Sequence, residues 1–214
     1  MNNLSSRTQI LEKLHSSTQQ QETIVISNET SIFNSITTSL EHCFKTELEE
    51  VSGTCILCKT IEEAIIHLQQ ILSEHKITSV FCRENNWINQ LKKSGITVCV
   101  ENNDFILTEA GLTSCEFLIA RTGSVMVSSK TSGRQLNIYP PIHIVFAQKS
   151  QLVPNITDAL KGLQEKYKGD IPSCISLVSG PSRTADIEKT LVLGAHGPKA
   201  LYVFIYEKET FPVA

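Results

Sequence analysis

The sequence predicts an α/β protein in which a mostly parallel sheet is flanked by helices. Apolar residues recur with helical periodicity in the first half of the chain. Short runs rich in β-branched residues lie between the helical stretches, and this alternation is typical of parallel sheets. All seven prolines lie at or after Pro140, and eight of the ten glycines lie at or after Gly111. The second half is therefore expected to contain shaped loops between its elements.

Three helices are predicted from the spacing of apolar residues. Over residues 31–48, apolar side chains recur at steps of three to five. Residues 60–74 begin with a capping box, in which Thr60 pairs with Glu63, and continue with an apolar stripe. A further helix is expected from about Asn155 to Tyr167.

Short β-rich runs predict the strands of the sheet. In chain order these runs are Thr23–Ser27, Gly53–Cys58, Ser79–Cys82, Ile96–Val100, Val125–Ser128, Ile142–Ala147, Ile175–Ser179 and Leu201–Tyr206.

The domain organisation is expected to be simple. Residues 1–22 are predicted to form an N-terminal helical extension, and residues 23–214 a single α/β domain. A net charge of −3 gives no global electrostatic reason to expect nucleic acid or an anionic membrane as partner. We find neither the apolar core of a signal peptide nor an apolar run of membrane-spanning length. With seven cysteines and no export signal, we expect a cytoplasmic protein with reduced thiols.

The segment at residues 180–188, GPSRTADIE, carries the most chemical information. It follows the predicted strand Ile175–Ser179 and is expected to begin a helix, with Ser182 or Thr184 as N-cap. Such a turn exposes backbone amides that attract anions, and Arg183 suits a carboxylate or a phosphate. A purely structural helix start explains the same residues. The ligand-binding candidates here are Gly180, Ser182, Arg183 and Thr184.

A second candidate segment is GAHGP at residues 194–198, just before the predicted strand Leu201–Tyr206. Its glycines permit the close approach of a ligand, so Gly197 is a ligand-binding candidate. His196 is a candidate general acid or base. The alternative is a turn whose imidazole caps a backbone carbonyl. His143 is expected at a strand edge and is a weaker candidate.

Three of the five arginines lie in second-half loops flanked by glycine or hydroxyl residues: Arg121, Arg134 and Arg183. Arginine suits the fixed recognition of a planar anion better than lysine does. We therefore expect a convergent anion site. Thr122, Gly123 and Arg134 are counted among its ligand-binding residues.

The C-x-x-C segment formed by Cys55 and Cys58 precedes the helix predicted at residues 60–74. Core packing is favoured over redox or metal chemistry, because the run is apolar and no second cysteine pair stands at zinc spacing. No metal site is expected. The chain contains no G-x-G-x-x-G and no Walker loop, so dinucleotide or NTP binding of the usual kind is unsupported.

Two segments resemble the signatures of the lactate utilisation protein C family, which consists of LUD-domain proteins. One is GPSRTADIE followed by GAHGP, and the other is GLT at residues 111–113 leading to ARTGS at residues 120–124. The resemblance covers residues 105–206 well, and the first hundred residues only in their α/β pattern. It implies a fold like that of the ribose-5-phosphate isomerase, glucosamine-phosphate deaminase and CoA-transferase group.

The resemblance also implies a role in oxidising L-lactate to pyruvate beside partner proteins, at least one of which carries iron–sulfur clusters. That oxidation needs an electron acceptor, which ordinary side chains do not provide. The sequence offers no four-cysteine array of the usual cluster-binding kind. We therefore expect a non-redox subunit with no cofactor of its own that binds a small anionic ligand. His196 and Asp186 are its catalytic candidates.

One residue departs from the family pattern, since Arg121 stands where the family usually has an acidic residue before Thr-Gly. Two alternative functions stay open. Besides the lactate role, the alternatives are a stand-alone enzyme acting on a sugar phosphate or CoA thioester and a non-catalytic module that binds a small anion. The sequence leaves open whether the protein is an enzyme.

Overall fold

The computed structural model describes residues 6–18, 34–101, 107–185, 191–194 and 196–207. Its main feature is a six-stranded sheet in which every neighbouring pair of strands is parallel. The strand order is β1-β12-β7-β4-β2-β3. The strands are β1 (Thr54–Cys58), β2 (Ser79–Cys82), β3 (Thr97–Cys99), β4 (Ala110–Ser114), β7 (Ile142–Gln148) and β12 (Ala200–Tyr206). The predicted α/β class with a mostly parallel sheet is confirmed.

Helices cover one face of this sheet. Helix α3 (Ile61–Glu74) and helix α4 (Asn85–Lys93) bury their apolar stripes in a single core cluster with β2, β4, β7 and β12. The Thr60 hydroxyl accepts a hydrogen bond from the Glu63 amide, as predicted. The Glu63 carboxylate caps the amide of Lys59 instead of that of Thr60.

The other face of the sheet packs against helix α2 (Leu40–Glu50) and a second sheet. The second sheet has the order β8-β5-β6-β9, and only its β5–β8 pair is parallel. Its strands are β5 (Phe117–Ile119), β6 (Ser124–Ser128), β8 (Leu152–Val153) and β9 (Ile175–Val178). Helix α5 (Ile156–Tyr167) packs on it through Ala159 and Leu163, and Asn155 is its N-cap, as the sequence predicts. Helix α1 (Ser6–Thr18) lies within the predicted N-terminal extension.

Two predicted helical segments are wrong in part. The helix predicted over residues 31–48 begins only at Leu40 with Ser39 as N-cap, and residues 34–39 are not helical. Thr37, Thr38 and Ser39 explain the late start, because hydroxyl side chains compete for backbone hydrogen bonds and favour caps. The predicted strand Thr23–Ser27 lies outside the described residues.

The helix predicted to begin near Gly180 is also wrong where the structure describes it. Arg183–Ala185 form strand β10, which pairs antiparallel with β11 (Leu191–Leu193). Gly180 has a φ of +82°, so the chain turns there in a left-handed conformation that favours glycine. The anion-binding argument from a helix N-terminus therefore does not apply to Ser182 and Arg183.

Candidate functional site

The described residues enclose a cavity of about 430 Å³ at the carboxyl edge of the parallel sheet. Four of its lining residues lie at or just after the carboxyl ends of β2, β4, β7 and β12: Glu84, Ser114, Gln148 and Tyr206. Open parallel sheets bind their ligands at this edge, because the loops that follow neighbouring strands converge there. We refer to this space as the carboxyl-edge cavity.

Glu84 is held firmly in the wall of this cavity at the N-cap position of α4. Its Oε1 accepts hydrogen bonds from the Ser114 amide at 2.7 Å and from the Ser132 hydroxyl at 3.2 Å. Its Oε2 accepts a short hydrogen bond from the Ser114 hydroxyl. The carboxylate therefore ties the end of β4 and the loop after β6 to the start of α4. Its remaining acceptor capacity can receive a ligand hydroxyl or N–H group.

Lys166 supplies a positive charge to the same cavity. Its Nζ lies 2.7 Å from Oε2 of Glu116, whose side chain is fully buried, whereas the Lys166 side chain is 51% exposed. Oε1 of Glu116 accepts hydrogen bonds from the Ser128 hydroxyl at 2.5 Å and the Tyr167 hydroxyl at 2.7 Å. The ammonium group is thus fixed on one side and open on the other.

Electrostatics keep this buried pair charged. Burial alone would raise the pKa of Glu116, but hydrogen bonds from Lys166, Ser128 and Tyr167 outweigh it and lower the pKa. Burial likewise opposes the charge on Lys166, yet the hydrogen bond to Glu116 raises its pKa. The ammonium group of Lys166 therefore stays charged in a cavity wall that also contains the carboxylate of Glu84, and it can contact an anionic ligand group.

Aromatic and amide side chains complete the lining. The Trp87 ring meets Phe146 edge-on with a centroid distance of 4.9 Å, and it meets Tyr206 in the same way at 6.2 Å. Asn86 and Gln90 lie one helical turn apart on α4 and also line the cavity. One wall of the cavity is therefore apolar and aromatic, and the adjoining helix offers neutral hydrogen-bonding groups.

His143 lies in the middle of the parallel sheet and not at a strand edge, which corrects the sequence-based expectation. It is fully buried on β7, between β4 and β12. Its Nε2 is 2.9 Å from the Thr113 hydroxyl, and its Nδ1 has no hydrogen-bond partner. Burial lowers the pKa of His143 to about 4, so the imidazole is neutral near pH 7.

Four of the predicted site residues meet at the opposite, amino-terminal edge of the sheet. A groove of about 360 Å³ lies there, before the starts of β7 and β12. Its lining includes Gly180, Ser182, His196 and Gly197. The Ser182 amide donates to the Pro198 carbonyl at 2.8 Å, which holds the two signature segments together. We refer to this feature as the amino-edge groove.

The three arginines of the predicted anion site contact three different partners. Arg134 donates to the Ser173 hydroxyl at 2.9 Å, and Arg183 donates to the Ser52 hydroxyl at 2.6 Å. Arg121 donates to the Asn155 side chain at the start of α5. None of the three is among the residues that line the amino-edge groove. Their convergence on one ligand is therefore not part of the described arrangement.

The remaining predicted residues lie beside helix α2 or outside the described set. Gly123 has a φ of +56°, and a Cβ placed on it would lie 2.3 Å from the Leu48 amide nitrogen. The Thr122 hydroxyl accepts a hydrogen bond from Ser124, whose own hydroxyl lies 2.6 Å from that of Ser179 in the groove. Thr184 lies in β10. Asp186 lies outside the described residues.

Cys55 and Cys58 project into different core clusters on opposite faces of the parallel sheet. Burial raises the pKa of Cys55 to about 12 and that of Cys58 to about 11. Three residues apart on a strand, the two thiols cannot face a common partner.

In the part of the chain that the structure describes, no three His, Cys, Asp or Glu side chains are grouped to hold a metal ion. Nor does any described helix have the length and apolarity to cross a membrane.

Sequence reasoning missed Glu84, Glu116 and Lys166. Glu84 carried a usable signal, since it follows the β-rich run Ser79–Cys82 within two residues, where a parallel sheet places its ligand-binding groups. Glu116 also carried one, because it is a lone charge inside the apolar stretch Cys115–Ala120. Lys166 carried none, because it is one of several charged residues on α5.

Comparison with known proteins places the chain beside one family. The family model described as the LUD domain matches residues 40–206. Lactate utilization protein C 1 of Bacillus mycoides is 30% identical over 175 residues, which are 79% of this chain and 74% of that protein. Lactate utilization protein C of Bacillus licheniformis is 43% identical over 102 residues. That alignment spans 46% of this chain and 42% of the Bacillus licheniformis protein. The alignment with lactate utilization protein C of Shouchella clausii spans 46% of that protein.

A solved structure shares the fold. The crystal structure of a DUF162 family protein from Deinococcus radiodurans superposes with a TM-score of 0.57 at 18% sequence identity. The match covers 78% of this chain and 96% of the Deinococcus chain. At this identity the likeness concerns the arrangement of the elements alone.

Proposed function

The chain belongs to the LUD domain family, and from this premise we propose that it takes part in lactate utilisation as a subunit without redox chemistry of its own. Its relatives are named as lactate utilization proteins, which supports the lactate role. We further propose that it works beside iron–sulfur proteins that accept the electrons from L-lactate, since lactate oxidation needs such an acceptor. The buried thiols of Cys55 and Cys58 support a role in packing.

The observation that carries the proposal is the position of Lys166 in the carboxyl-edge cavity. Its ammonium group is anchored by the buried Glu116 and open to the cavity on its other side. A fixed cation at the ligand-binding edge of a parallel sheet favours a small anionic molecule. We therefore assign the anionic ligand to this cavity, with Lys166 as its charged contact.

The test is growth on L-lactate as the sole carbon source. A host strain lacking this gene would be complemented with the wild type, Lys166→Gln or Lys161→Gln. Glutamine can still donate to Glu116 but carries no charge, and Lys161 is an exposed residue of the same helix that does not line the cavity. We expect the wild type and Lys161→Gln to restore growth, and Lys166→Gln to fail although circular dichroism shows it to be folded. Full growth of the uncomplemented strain would refute the lactate role.

The partner proposal needs a separate measurement. Tagged protein purified from lactate-grown cells would be assayed for bound iron and for lactate-dependent dye reduction. We expect an iron-containing protein to co-purify with that activity. Inactive protein without iron, from a strain whose growth depends on the chain, would contradict the partner assignment alone.

A second candidate function is supported by the size of the cavity. Lactate has six non-hydrogen atoms, and even at about 30 Å³ each, the space of a liquid water molecule, it would fill less than half of 430 Å³. This favours a larger anion, such as a sugar phosphate or the acyl end of a CoA thioester, handled by a stand-alone enzyme. Turnover of either compound by the purified protein would establish this alternative.

The amino-edge groove is the second place proposed for an anion. Ser182 and His196 would be its ligand contacts, and the catalytic role of His196 would apply there. Titration with inorganic phosphate, followed by NMR of the imidazole, tests this. We expect phosphate to shift the His196 imidazole signal in the wild-type protein and to leave it unchanged in Ser182→Ala. A wild-type signal that phosphate does not shift would remove the groove as an anion site.

A further inference from the structure

Two carboxamides on helix α4 face the carboxyl-edge cavity without an internal role. The side chains of Asn86 and Gln90 make no hydrogen bond with any other described residue. One helical turn separates them, so they lie on the same face of α4. They offer the cavity two donor–acceptor pairs.

Gln151, in the same cavity wall, shows the contrasting arrangement. Its Oε1 accepts from the Gln148 amide at 2.7 Å, and its Nε2 donates to the Cys115 carbonyl at 2.5 Å. This carboxamide is used to hold the loop after β7, so a structural role explains it. Asn86, which is exposed, and Gln90, which is half-buried, make no such hydrogen bonds with the described residues.

The surroundings of these two residues indicate what they can recognise. A carboxamide matches a group that donates and accepts hydrogen bonds side by side, as the edge of a nitrogen heterocycle does. The neighbouring Trp87 belongs to the aromatic wall of the cavity, against which the apolar surface of a ligand can pack. Lys166, in the same lining, suits an anionic group.

We infer that the carboxyl-edge cavity binds an anionic nitrogen heterocycle of mononucleotide size, with its ring edge on Asn86 and Gln90 and its anionic group on Lys166. A volume of about 430 Å³ lies in the range that holds ligands of this size. The inference rests on the proposed function only in taking this cavity as the ligand site. It names a ligand class that neither the relatives' names nor the family description contains.

Calorimetric titration of the purified full chain tests the inference, with AMP and FMN as probes. Ribose 5-phosphate is the matched control ligand, because it carries the phosphate but no heterocycle. We expect AMP, FMN or both to bind at least about tenfold more tightly than ribose 5-phosphate, the margin of about one added hydrogen bond. Trp87 is the only tryptophan of the chain, so a change in its fluorescence on adding AMP reports binding in this cavity.

Variants of α4 locate the contact. Asn86→Ala and Gln90→Ala should each weaken binding about tenfold, the loss expected for one neutral hydrogen bond. Asn89→Ala is the matched control, because Asn89 is an exposed residue of the same helix outside the cavity lining. It should bind like the wild type. Circular dichroism would confirm that all three variants are folded.

Three outcomes would overturn the inference. They are the absence of binding of both heterocyclic probes at millimolar concentration, equal binding of ribose 5-phosphate, and equal effects of the Asn86, Gln90 and Asn89 substitutions. In each case, growth on L-lactate that still depends on Lys166 would leave the proposed function standing. Conversely, AMP binding together with growth that does not need the chain would refute the proposed function and keep the inference.

Discussion

The buried His143 should make the stability of the protein depend on pH in a predictable window. In the native state the imidazole stays neutral until the pH falls to about 4, because burial lowers its pKa from the ordinary 6.5. In the unfolded chain it takes up a proton near its ordinary pKa. Between these two values the unfolded state binds more protons, so lowering the pH favours unfolding. The stability that a neutral His143 provides is complete above pH 6.5 and is lost as the pH falls towards 4.

The size of the effect follows from the two pKa values. Each pH unit of difference corresponds to about 1.4 kcal/mol, so the full contribution is about 3 kcal/mol. Lowering the pH from about 7 to about 5 covers more than half of the interval between the two pKa values, so about 2 kcal/mol of unfolding free energy should be lost through this residue. A loss of this size is large against the 5–15 kcal/mol that is typical of folded domains.

The assay is urea unfolding of two proteins at a series of pH values. One is the wild type, and the other carries His143→Leu and Thr113→Val, which remove the imidazole together with its hydrogen-bond partner. The carboxylates titrate in both proteins, so the difference between the two stability curves isolates His143. We expect the wild type to lose about 2 kcal/mol more than the variant between about pH 7 and about pH 5. Parallel curves would refute the burial argument.

Three further predictions concern packing. Glu116→Gln should lower the free energy of unfolding by about 1 to 3 kcal/mol in urea, because it disturbs a buried carboxylate that accepts three hydrogen bonds; unchanged stability would contradict that role. Gly123→Ala should cost more than about 2 kcal/mol, because its Cβ would meet the backbone of α2, whereas Gly95→Ala, with a positive φ but open space, should cost only about 1 kcal/mol. Equal losses would contradict the clash. Alkylation of Cys55 and Cys58 should be at least about a hundredfold slower in native than in denatured protein, and similar rates would contradict their burial.

The elements that the sequence predicted well are those whose signal is local. The strand Ser79–Cys82 and the helix of residues 60–74 were predicted almost to the residue, because the first is a short apolar run and the second combines a cap with an apolar stripe. The second sheet was not predicted. Every residue of β6 is buried, so its apolar run fits a parallel and an antiparallel sheet equally well. Only the strand pairing, which is a long-range property, separates the two.

The two candidate sites differ in the same way. Residues of the amino-edge groove, such as Ser182 and His196, stand out because glycine, proline and hydroxyl residues surround them in the sequence. Glu84 and Ser114 are far apart in the chain and meet because parallel strands end at one edge, and Lys166 reaches them from helix α5 on the second sheet. The carboxyl-edge cavity was therefore accessible only through topology. Arg121 belongs to neither site, since its side chain reaches Asn155 at the start of α5.

The position of β12 in the sheet has a consequence for how the protein is made. This strand pairs with both β1 and β7, although it lies far along the chain from each of them. Until the ribosome has released it, β1 has no partner among the described strands and β7 has an open edge, and open edges invite pairing with other chains. Completion of the six-stranded sheet must therefore wait until synthesis has passed β12, and this delay lengthens the exposure of these edges to aggregation. The strand that runs between both candidate sites is therefore the one that completes the sheet last.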